Sequence, residues 1–258
     1  MFNFKKVSEV IKKVTSTVLT ATLSLGMFSA SPINAMGGGG NYDCIKRIVI
    51  KRIVFIGSEK SGKTQLIKCM EGKNFKDEYI ATFNGDVILK KYQCNNKDCK
   101  FHFWDIAGKD IYLHKMSVYY SGASAIVLTV AYDDENWKNS MGEWLEEANK
   151  NVKEMVSVKV VLTKSDLEEK KFTKEKVENC LDGIKDNYKN LNIDTTVIET
   201  SAKKNTGINY KGNEEGNSQT CLKDYLLDLV DKQQEQLDLQ QKVSPEFKSS
   251  KPKNESEI

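Results

Sequence analysis

The fold is decided by IVFI-GSEKSGKT, residues 53–64, in which an apolar run leads into a loop that ends in lysine and threonine. The spacing GxxxxGK(S/T) is that of a phosphate-binding loop, provided that a strand precedes it and a helix follows it. Residues 48–56 predict a strand whose last part is buried, and residues 64–71 predict a helix. Backbone N–H groups of such a loop surround phosphates, and the helix N-terminus adds a favourable dipole. The predicted phosphate contacts are Gly57, Ser58, Glu59, Lys60, Ser61, Gly62, Lys63 and Thr64.

Several residues in and after this loop have the chemistry to hold Mg²⁺ and the outer phosphates. Lys63 is predicted to reach the phosphates, and the Thr64 hydroxyl to bind the metal ion. The sequence WDIAG ends the second strand of a predicted hairpin, where Asp105 would hold Mg²⁺ through water and the Gly108 amide would face the outermost phosphate. Thr82, in the loop before that hairpin, is the second predicted hydroxyl ligand. The predicted metal ligands are Thr64, Thr82 and Asp105, and the candidate catalytic residues are Lys63, Thr82 and Gly108.

Two later motifs predict a guanine site, TKSD at residues 163–166 and ETSAK at residues 199–203. A carboxylate at Asp166 can accept hydrogen bonds from the ring N–H and the amine of guanine. Adenine lacks that donor pair and would leave the carboxylate buried without a partner. A kinase or other ATP enzyme with the same loop is the alternative. The predicted base contacts, which include the Ala202 amide and two lysine stems over the faces of the base, are Thr163, Lys164, Asp166, Ser201, Ala202 and Lys203.

Strands and helices alternate along the chain. The predicted strands are residues 48–56, 87–92, 100–105, 125–131, 158–162 and 195–199, and the predicted helices are 64–71, 137–152, 173–188 and 222–239. Thr173 is predicted to cap the third of these helices. This pattern predicts an α/β fold with a mostly parallel sheet and helices on both faces, and the hairpin around the polar turn 95–98 adds one antiparallel edge strand.

The nucleotide motifs follow one another as they do in the Ras superfamily, and the chain resembles its Rab-like branch. The resemblance spans residues 46–230 and also rests on YYSGA at 119–123 and GEWL at 142–145. It implies the small-GTPase fold of the P-loop NTPases and a GTP/GDP switch that uses Mg²⁺ and hydrolyses GTP. It further implies a monomer whose effectors or regulators bind the loops around Thr82 and Gly108.

Three residues depart from the family pattern. Lys109 stands where the family usually has a glutamine that orients the attacking water, and an ammonium has no acceptor for that water. Glu59 puts a carboxylate near the γ-phosphate, where Lys60 or Lys109 could pair with it. Slow hydrolysis is therefore expected, and the alternative is a GTP-bound scaffold that does not hydrolyse GTP. Thr163 replaces the commoner asparagine, and guanine preference is expected to persist.

The first 35 residues resemble a targeting segment. Lys5, Lys6, Lys12 and Lys13 precede the uncharged residues 14–42, which is the layout of a secretory signal cleaved after Ala35. An organelle presequence and an amphipathic membrane-surface helix are alternatives, and a transmembrane anchor fits least well. Export by a host-associated microbe into another cell's cytosol would supply GTP to the protein, and a cytoplasmic location is the other possibility.

The remaining organisation follows from composition. A glycine-rich linker at 36–44 precedes the predicted GTPase domain, 45–241, which carries a loop insert at 209–220 and is followed by a polar, disordered tail at 242–258. The nearly balanced charge, +3 overall, argues against a nucleic-acid binder. Residues 255–258 hold no cysteine, so prenylation is not expected.

Six cysteines are present, and Cys94 and Cys99 form the close pair. Free thiols in a hairpin, a disulfide across it and a zinc site are the alternatives for that pair, although zinc would need two further ligands.

Overall fold

A computed structural model describes residues 49–82, 85–94, 97–108, 117–209 and 221–243, all within one compact unit, Lys46–Ile258. In chain order, its elements are β1 (Val49–Ile56), α1 (Lys63–Met70), β2 (Asp86–Cys94), β3 (Lys97–Asp105), α2 (Ser117–Tyr120), β4 (Ala125–Ala131), α3 (Trp137–Asn151), β5 (Val156–Thr163), α4 (Lys174–Ile184), a 3₁₀ turn (Lys185–Asn187), β6 (Leu191–Glu199) and α5 (Leu222–Val243).

Several predictions concern residues outside these ranges. They are the targeting segment 1–35, the linker 36–44, Lys109, most of the loop insert 209–220 and the tail from residue 244 onward. Within the ranges that the structure describes, no helix combines the length and apolar character needed to cross a bilayer.

The sheet has six strands in the order β2-β3-β1-β4-β5-β6. Every neighbouring pair is parallel except β2 and β3, which are antiparallel. This confirms the predicted mostly parallel sheet with one antiparallel edge strand. The register pairs Phe55 with Asp105 and Ala131 with Thr163, so the carboxyl ends of the parallel strands lie at one edge. Ligand sites of open α/β sheets form at that edge.

The sheet is covered on both faces, as predicted. All seven residues of β4 are buried, as expected of a strand with helices above and below it. On one face, Phe55, Phe103 and Val127 share a core cluster with apolar residues of α1 and α5. On the other, α3 contacts β4 and buries Met141, Trp144, Leu145 and Ala148. The helical spacing of Leu222, Leu226 and Val230 gives α5 its buried stripe.

Some element boundaries differ from those predicted. β6 begins at Leu191 rather than at residue 195, and its polar Asp194 accepts a hydrogen bond from the buried Lys159 of β5. The polar residues near this contact hide the alternating pattern of the strand. The α-helix that Thr173 caps, through its hydroxyl and the Lys176 amide, ends at Ile184 and continues as the 3₁₀ turn. The two hairpin strands extend into the predicted turn, since β2 ends at Cys94 and β3 begins at Lys97. Polar side chains do not prevent this pairing, because the hydrogen bonds between strands join backbone groups.

Candidate functional site

A cavity of about 480 Å³ lies at the carboxyl edge of the parallel strands, a volume that suits a small-molecule ligand. Its walls come from the phosphate loop, the loop that follows α1, Gly108, and the loops that follow β5 and β6. It brings together the predicted phosphate and base residues. Those that line it are Glu59, Lys60, Gly62, Lys63, Thr64, Thr82, Gly108, Thr163, Lys164, Asp166, Ala202 and Lys203.

The phosphate loop needs both of its glycines. Gly57 has φ +137°, and a Cβ built there would lie 2.4 Å from the carbonyl oxygen of Thr129. Gly62, with φ +87°, is the N-cap of α1. The hydroxyls of Ser61 and Thr129 lie 2.7 Å apart beneath the loop, and both side chains are buried. These contacts fix the loop on β4 and leave its outer residues facing the cavity.

Lys63 is buried at the base of the loop. Its Nζ donates to the carbonyl oxygens of Gly57 and Ser58, each at 2.7 Å, and lies 3.3 Å from Ser61 Oγ. Burial lowers the pKa of Lys63 to about 8, although the nearby charge of Asp105 favours the ammonium. An anion beside Nζ would offset that burial, because an opposite charge stabilises the charged form. The arrangement therefore suits a bound phosphate.

The three predicted metal ligands lie together. Thr64 Oγ1 donates to Asp105 Oδ2 at 2.6 Å and lies 2.9 Å from Thr82 Oγ1. Burial raises the pKa of Asp105 above its usual value, against the opposing effects of the Thr64 hydrogen bond and the Lys63 charge. Its other oxygen, Oδ1, is buried and has no hydrogen-bond partner in the described part of the protein.

Hard divalent cations such as Mg²⁺ prefer oxygen ligands, and this cluster supplies two hydroxyls and a carboxylate with an unpaired oxygen. The donor set therefore fits the predicted magnesium ion. Elsewhere in the ranges that the structure covers, no three His, Cys, Asp or Glu residues are grouped to hold a metal. Cys99, a candidate for zinc or a disulfide, is a buried free thiol.

Gly108 approaches the phosphate loop very closely. A Cβ built on it would lie 2.5 Å from the Glu59 amide nitrogen, 2.6 Å from the Ser58 carbonyl carbon and 2.7 Å from Lys63 Nζ. No side chain fits in that space. The segment after β3 thus lies against the residues of the phosphate loop that are predicted to surround the outermost phosphate. Lys109, the next residue in the sequence, is outside the described ranges.

The base motifs are joined to each other. Ser201, which is fully buried, donates its hydroxyl to Asp166 Oδ1 at 2.5 Å. The Thr163 hydroxyl donates to the Ser61 carbonyl at 2.7 Å, which ties this half of the pocket to the phosphate loop. Lys164 Nζ contacts the two carboxylate oxygens of Asp133 at 2.9 and 2.6 Å. The contact with Asp133 holds the ammonium end of Lys164 and leaves the aliphatic part of the side chain at the pocket. Sequence reasoning missed the role of Asp133.

Sequence reasoning also missed Phe75 and Tyr79, which line the cavity from the loop between α1 and Thr82. The Tyr79 hydroxyl donates to Glu59 Oε1 at 2.8 Å, and Lys60 Nζ lies 5.4 Å from the centroid of the Tyr79 ring. An aromatic residue in a polar loop has no periodic pattern that would reveal such a role. Desolvation and the Glu59 carboxylate raise the pKa of Tyr79 to about 12, so this hydroxyl remains a donor at neutral pH.

Comparison with known proteins agrees with this geometry. A sequence model of the Ras family matches residues 52–213, which include the phosphate loop, the Thr64–Thr82–Asp105 cluster and both base motifs. GTP-binding protein ypt1 of Schizosaccharomyces pombe is 29% identical over 157 residues, which cover 61% of this chain and 73% of that protein. Ras-related protein SEC4 of Saccharomyces cerevisiae is 28% identical over 173 residues, which cover 67% and 74%. The chain belongs to the Ras family and is a Rab-like small GTPase.

Proposed function

We propose that the protein binds GTP and GDP with Mg²⁺ in this cavity and acts as a switch that hydrolyses GTP slowly. The observation that carries the proposal is the cluster of Thr64, Thr82 and Asp105 next to Lys63, in the same cavity as Asp166. Phosphate, metal and base recognition are thereby available to one nucleotide.

Each part of the cavity has a role in this function. Lys63 binds the outer phosphates, and the Gly108 amide faces the γ-phosphate. Thr64, Thr82 and Asp105 would hold the magnesium ion, which neutralises charge on the phosphates when bound. Asp166, oriented by Ser201, accepts hydrogen bonds from guanine. Thr82 belongs to a loop on the cavity wall, so ordering of that loop would signal which nucleotide is bound.

Slow hydrolysis is proposed because of two side chains. Hydrolysis adds water to the γ-phosphorus and releases GDP and phosphate, and the water needs an acceptor to orient it. Lys109 has no such acceptor. Glu59 adds a carboxylate on the phosphate loop, where it receives the Tyr79 hydroxyl. The same two residues favour the second candidate, a GTP-bound module that binds partners without hydrolysis.

Effectors or regulators are proposed to bind the loops around Thr82 and Gly108 and exposed apolar side chains on the adjoining elements. Large apolar residues with exposed side chains include Ile80 in the loop after α1, Val87 and Leu89 on the edge strand β2, and Val118 in α2. Val87 pairs with Trp104 in the sheet, and Trp104 packs edge-on against Tyr119 of α2. Exposed apolar groups of this kind suit a protein partner.

We also propose that residues 1–35 export the protein, in one version into a host cytosol that supplies GTP. The basic start and the uncharged stretch 14–42 support this. Expression of the full chain with a C-terminal reporter tests it, because export predicts a shortened protein outside the producing cell. Full-length, uncleaved protein in the producer's cytosol would reject export in favour of the cytoplasmic alternative.

The nucleotide proposal is tested by loading the purified full-length protein with labelled GTP and Mg²⁺ and following a single turnover. The reference is the unaided rate of Ras, on the order of 10⁻⁴ s⁻¹. Measurable loss of the γ-phosphate, at about that rate or more slowly, is expected. Tight GTP binding without turnover would favour the non-hydrolysing module. Displacement of labelled GTP by ATP at equal concentration would contradict guanine recognition.

A further inference from the structure

We infer that Tyr79 and Glu59 form a clasp across the nucleotide cavity that slows nucleotide release. The clasp consists of Tyr79 from the loop after α1, and Glu59 and Lys60 from the phosphate loop. The inference rests on the proposed function, because it concerns nucleotide held in the same cavity. It gives Glu59 a positioning role that is separate from any effect on hydrolysis.

The contact joins two walls of the cavity. The Tyr79 hydroxyl donates to Glu59 Oε1 at 2.8 Å, and the Lys60 ammonium lies 5.4 Å from the centroid of the same ring. Two consecutive residues of the phosphate loop therefore hold one tyrosine, one by its hydroxyl and the other by its ring face. All three residues line the cavity. A nucleotide bound against Lys63 would share the cavity with this contact.

The phosphate-loop side of the clasp is fixed in place. Ser61, the residue after Lys60, is held by its hydroxyl, 2.7 Å from that of Thr129, and by its carbonyl, which accepts from the Thr163 hydroxyl at 2.7 Å. The Glu59 amide faces Gly108, which leaves no room for a Cβ between them. This backbone cannot follow Tyr79 if the opposite loop moves away, so opening the loop requires the hydroxyl contact to break.

The opposite loop is anchored on either side of Tyr79. Before it, the Gln65 side chain contacts the backbone oxygen and nitrogen of Lys76 at 3.1 and 3.5 Å. After it, Thr82 Oγ1 lies 2.9 Å from Thr64 Oγ1. Between these anchors, Tyr79 supplies a contact with the phosphate loop. Loss of the Tyr79 contact would leave a longer stretch of this loop free to move away from the phosphate loop.

The size of the effect follows from exposure. A hydrogen bond to a charged group is stronger than a neutral one, but Tyr79 is 50% exposed and water competes for Glu59. We therefore expect loss of the clasp to accelerate nucleotide release by about three- to tenfold. This is the effect expected of a charge-assisted hydrogen bond at the weak end of its usual range.

The test measures dissociation of fluorescent GDP from the full-length protein, with Mg²⁺ and excess unlabelled GDP. Tyr79→Phe keeps the ring under Lys60 and removes only the hydroxyl, and Glu59→Ala removes the acceptor. Each should release GDP about three to ten times faster than wild type, and the double variant should be no faster than Glu59→Ala, because loss of the hydroxyl has no further effect once its acceptor is gone. Glu59→Gln, whose neutral amide oxygen can still accept the hydroxyl, should release GDP more slowly than Glu59→Ala.

Tyr92→Phe is the matched control. Its hydroxyl donates to the Met70 carbonyl at 3.1 Å, away from the cavity, so its loss should not change GDP release. Unfolding temperatures without nucleotide should agree between the Tyr79→Phe variant and wild type. An unchanged release rate in Tyr79→Phe, or additive effects in the double variant, would overturn the clasp alone. Failure of the wild type to retain GDP would overturn the proposed function and the clasp together.

Discussion

Thr163 Oγ1 donates to the backbone carbonyl of Ser61 at 2.7 Å, so the first residue of the base motif holds the phosphate loop. Both side chains are buried. Gly62, the next residue of the loop, is close as well, since a Cβ built on it would lie 3.5 Å from Thr163 Cβ. A threonine in place of the commoner asparagine therefore serves as a link between the two halves of the cavity.

Thr163→Val should weaken binding of both GDP and GTP. Valine keeps the shape of threonine but cannot donate, which deprives the Ser61 carbonyl of this donor at a cost of about 1–3 kcal/mol. Because the carbonyl belongs to the phosphate loop, we expect a dissociation constant for fluorescent GDP about tenfold higher or more. The matched control is Thr196→Val, whose hydroxyl contacts Lys159 and Asp194 instead. Equal affinities for wild type and Thr163→Val would contradict the link.

Gly108→Ala should disrupt nucleotide binding through backbone collision. The new methyl group would lie 2.5 Å from the Glu59 nitrogen and 2.6 Å from the Ser58 carbonyl carbon, so the phosphate loop or residue 108 must shift. We expect the affinity for GTP to fall at least about tenfold, or about 1.4 kcal/mol, in equilibrium titrations.

The control for this change is Gly142→Ala in α3, where a Cβ meets no atom within 4 Å. Alanine is the better helix former by about 0.5–1 kcal/mol, so this variant should bind nucleotide normally and unfold at a slightly higher temperature. Normal GTP affinity in Gly108→Ala would show that the close approach to the loop is not required.

Much of this site could be predicted from sequence because its glycines, carboxylate and hydroxyls sit at fixed offsets from strand ends. Parallel strands end at one edge, so residues far apart in sequence, such as Thr64 and Asp105, were expected to meet there, and they do. The sheet could be predicted for a related reason. Runs such as residues 125–131 are apolar throughout, which is typical of a strand buried on both faces.

The remaining features depend on tertiary contacts that have no local pattern. Tyr79 lies in a loop, and its place beside Glu59 is set by anchors on both sides of it. Asp133 follows β4 and Lys164 follows the neighbouring strand β5, and nothing in the sequence indicates that the two side chains pair. The first part of β6 was missed because Asp194 disfavours a strand, and Lys159 is the partner that stabilises it there.

That ion pair gives a stability prediction with a defined pH dependence. Lys159 is 4% exposed, with Nζ 2.8 Å from Asp194 Oδ2 and 4.7 Å from the centroid of the Tyr225 ring. Asp194→Asn leaves that ammonium without its carboxylate. Removing one partner of a fully buried ion pair is strongly destabilising. Because Asp194 is partly exposed, we expect Asp194→Asn to lower the free energy of unfolding at pH 7 by only about 1–3 kcal/mol.

The pH dependence follows from the pKa of Asp194. Partial burial raises that pKa, but hydrogen bonds from Lys159 and Thr196 outweigh burial and leave it below its usual value. The stabilisation is therefore fully present above the unfolded pKa of about 3.9 and is lost as pH falls through the folded pKa. In urea unfolding, the gap between wild type and Asp194→Asn should narrow below about pH 4. The control is Asp182→Asn, which removes an exposed pair with Lys185 and should change the free energy of unfolding little at any pH. If the difference between wild type and Asp194→Asn stayed constant with pH, the ion pair would not be the source of the stabilisation.

Lys109→Gln should increase the rate of GTP hydrolysis. A glutamine carbonyl can accept a hydrogen bond from the attacking water, which the lysine ammonium cannot. We expect the single-turnover rate to rise by about tenfold or more, equivalent to about 1.4 kcal/mol of barrier. The measurement uses protein preloaded with γ-labelled GTP and counts released phosphate.

Glu59→Gly, combined with Lys109→Gln, separates the two obstacles to hydrolysis. If the Glu59 carboxylate also opposes the γ-phosphate, the combined variant should exceed Lys109→Gln alone. Because Glu59→Gly also opens the clasp, release of intact GTP must be recorded in parallel and subtracted from the loss of bound label. Tyr79→Phe is the control, since it opens the clasp but keeps the carboxylate, and it should leave the chemical rate unchanged. If neither variant with glutamine gains activity, the slow step lies elsewhere and the missing water acceptor is not its cause.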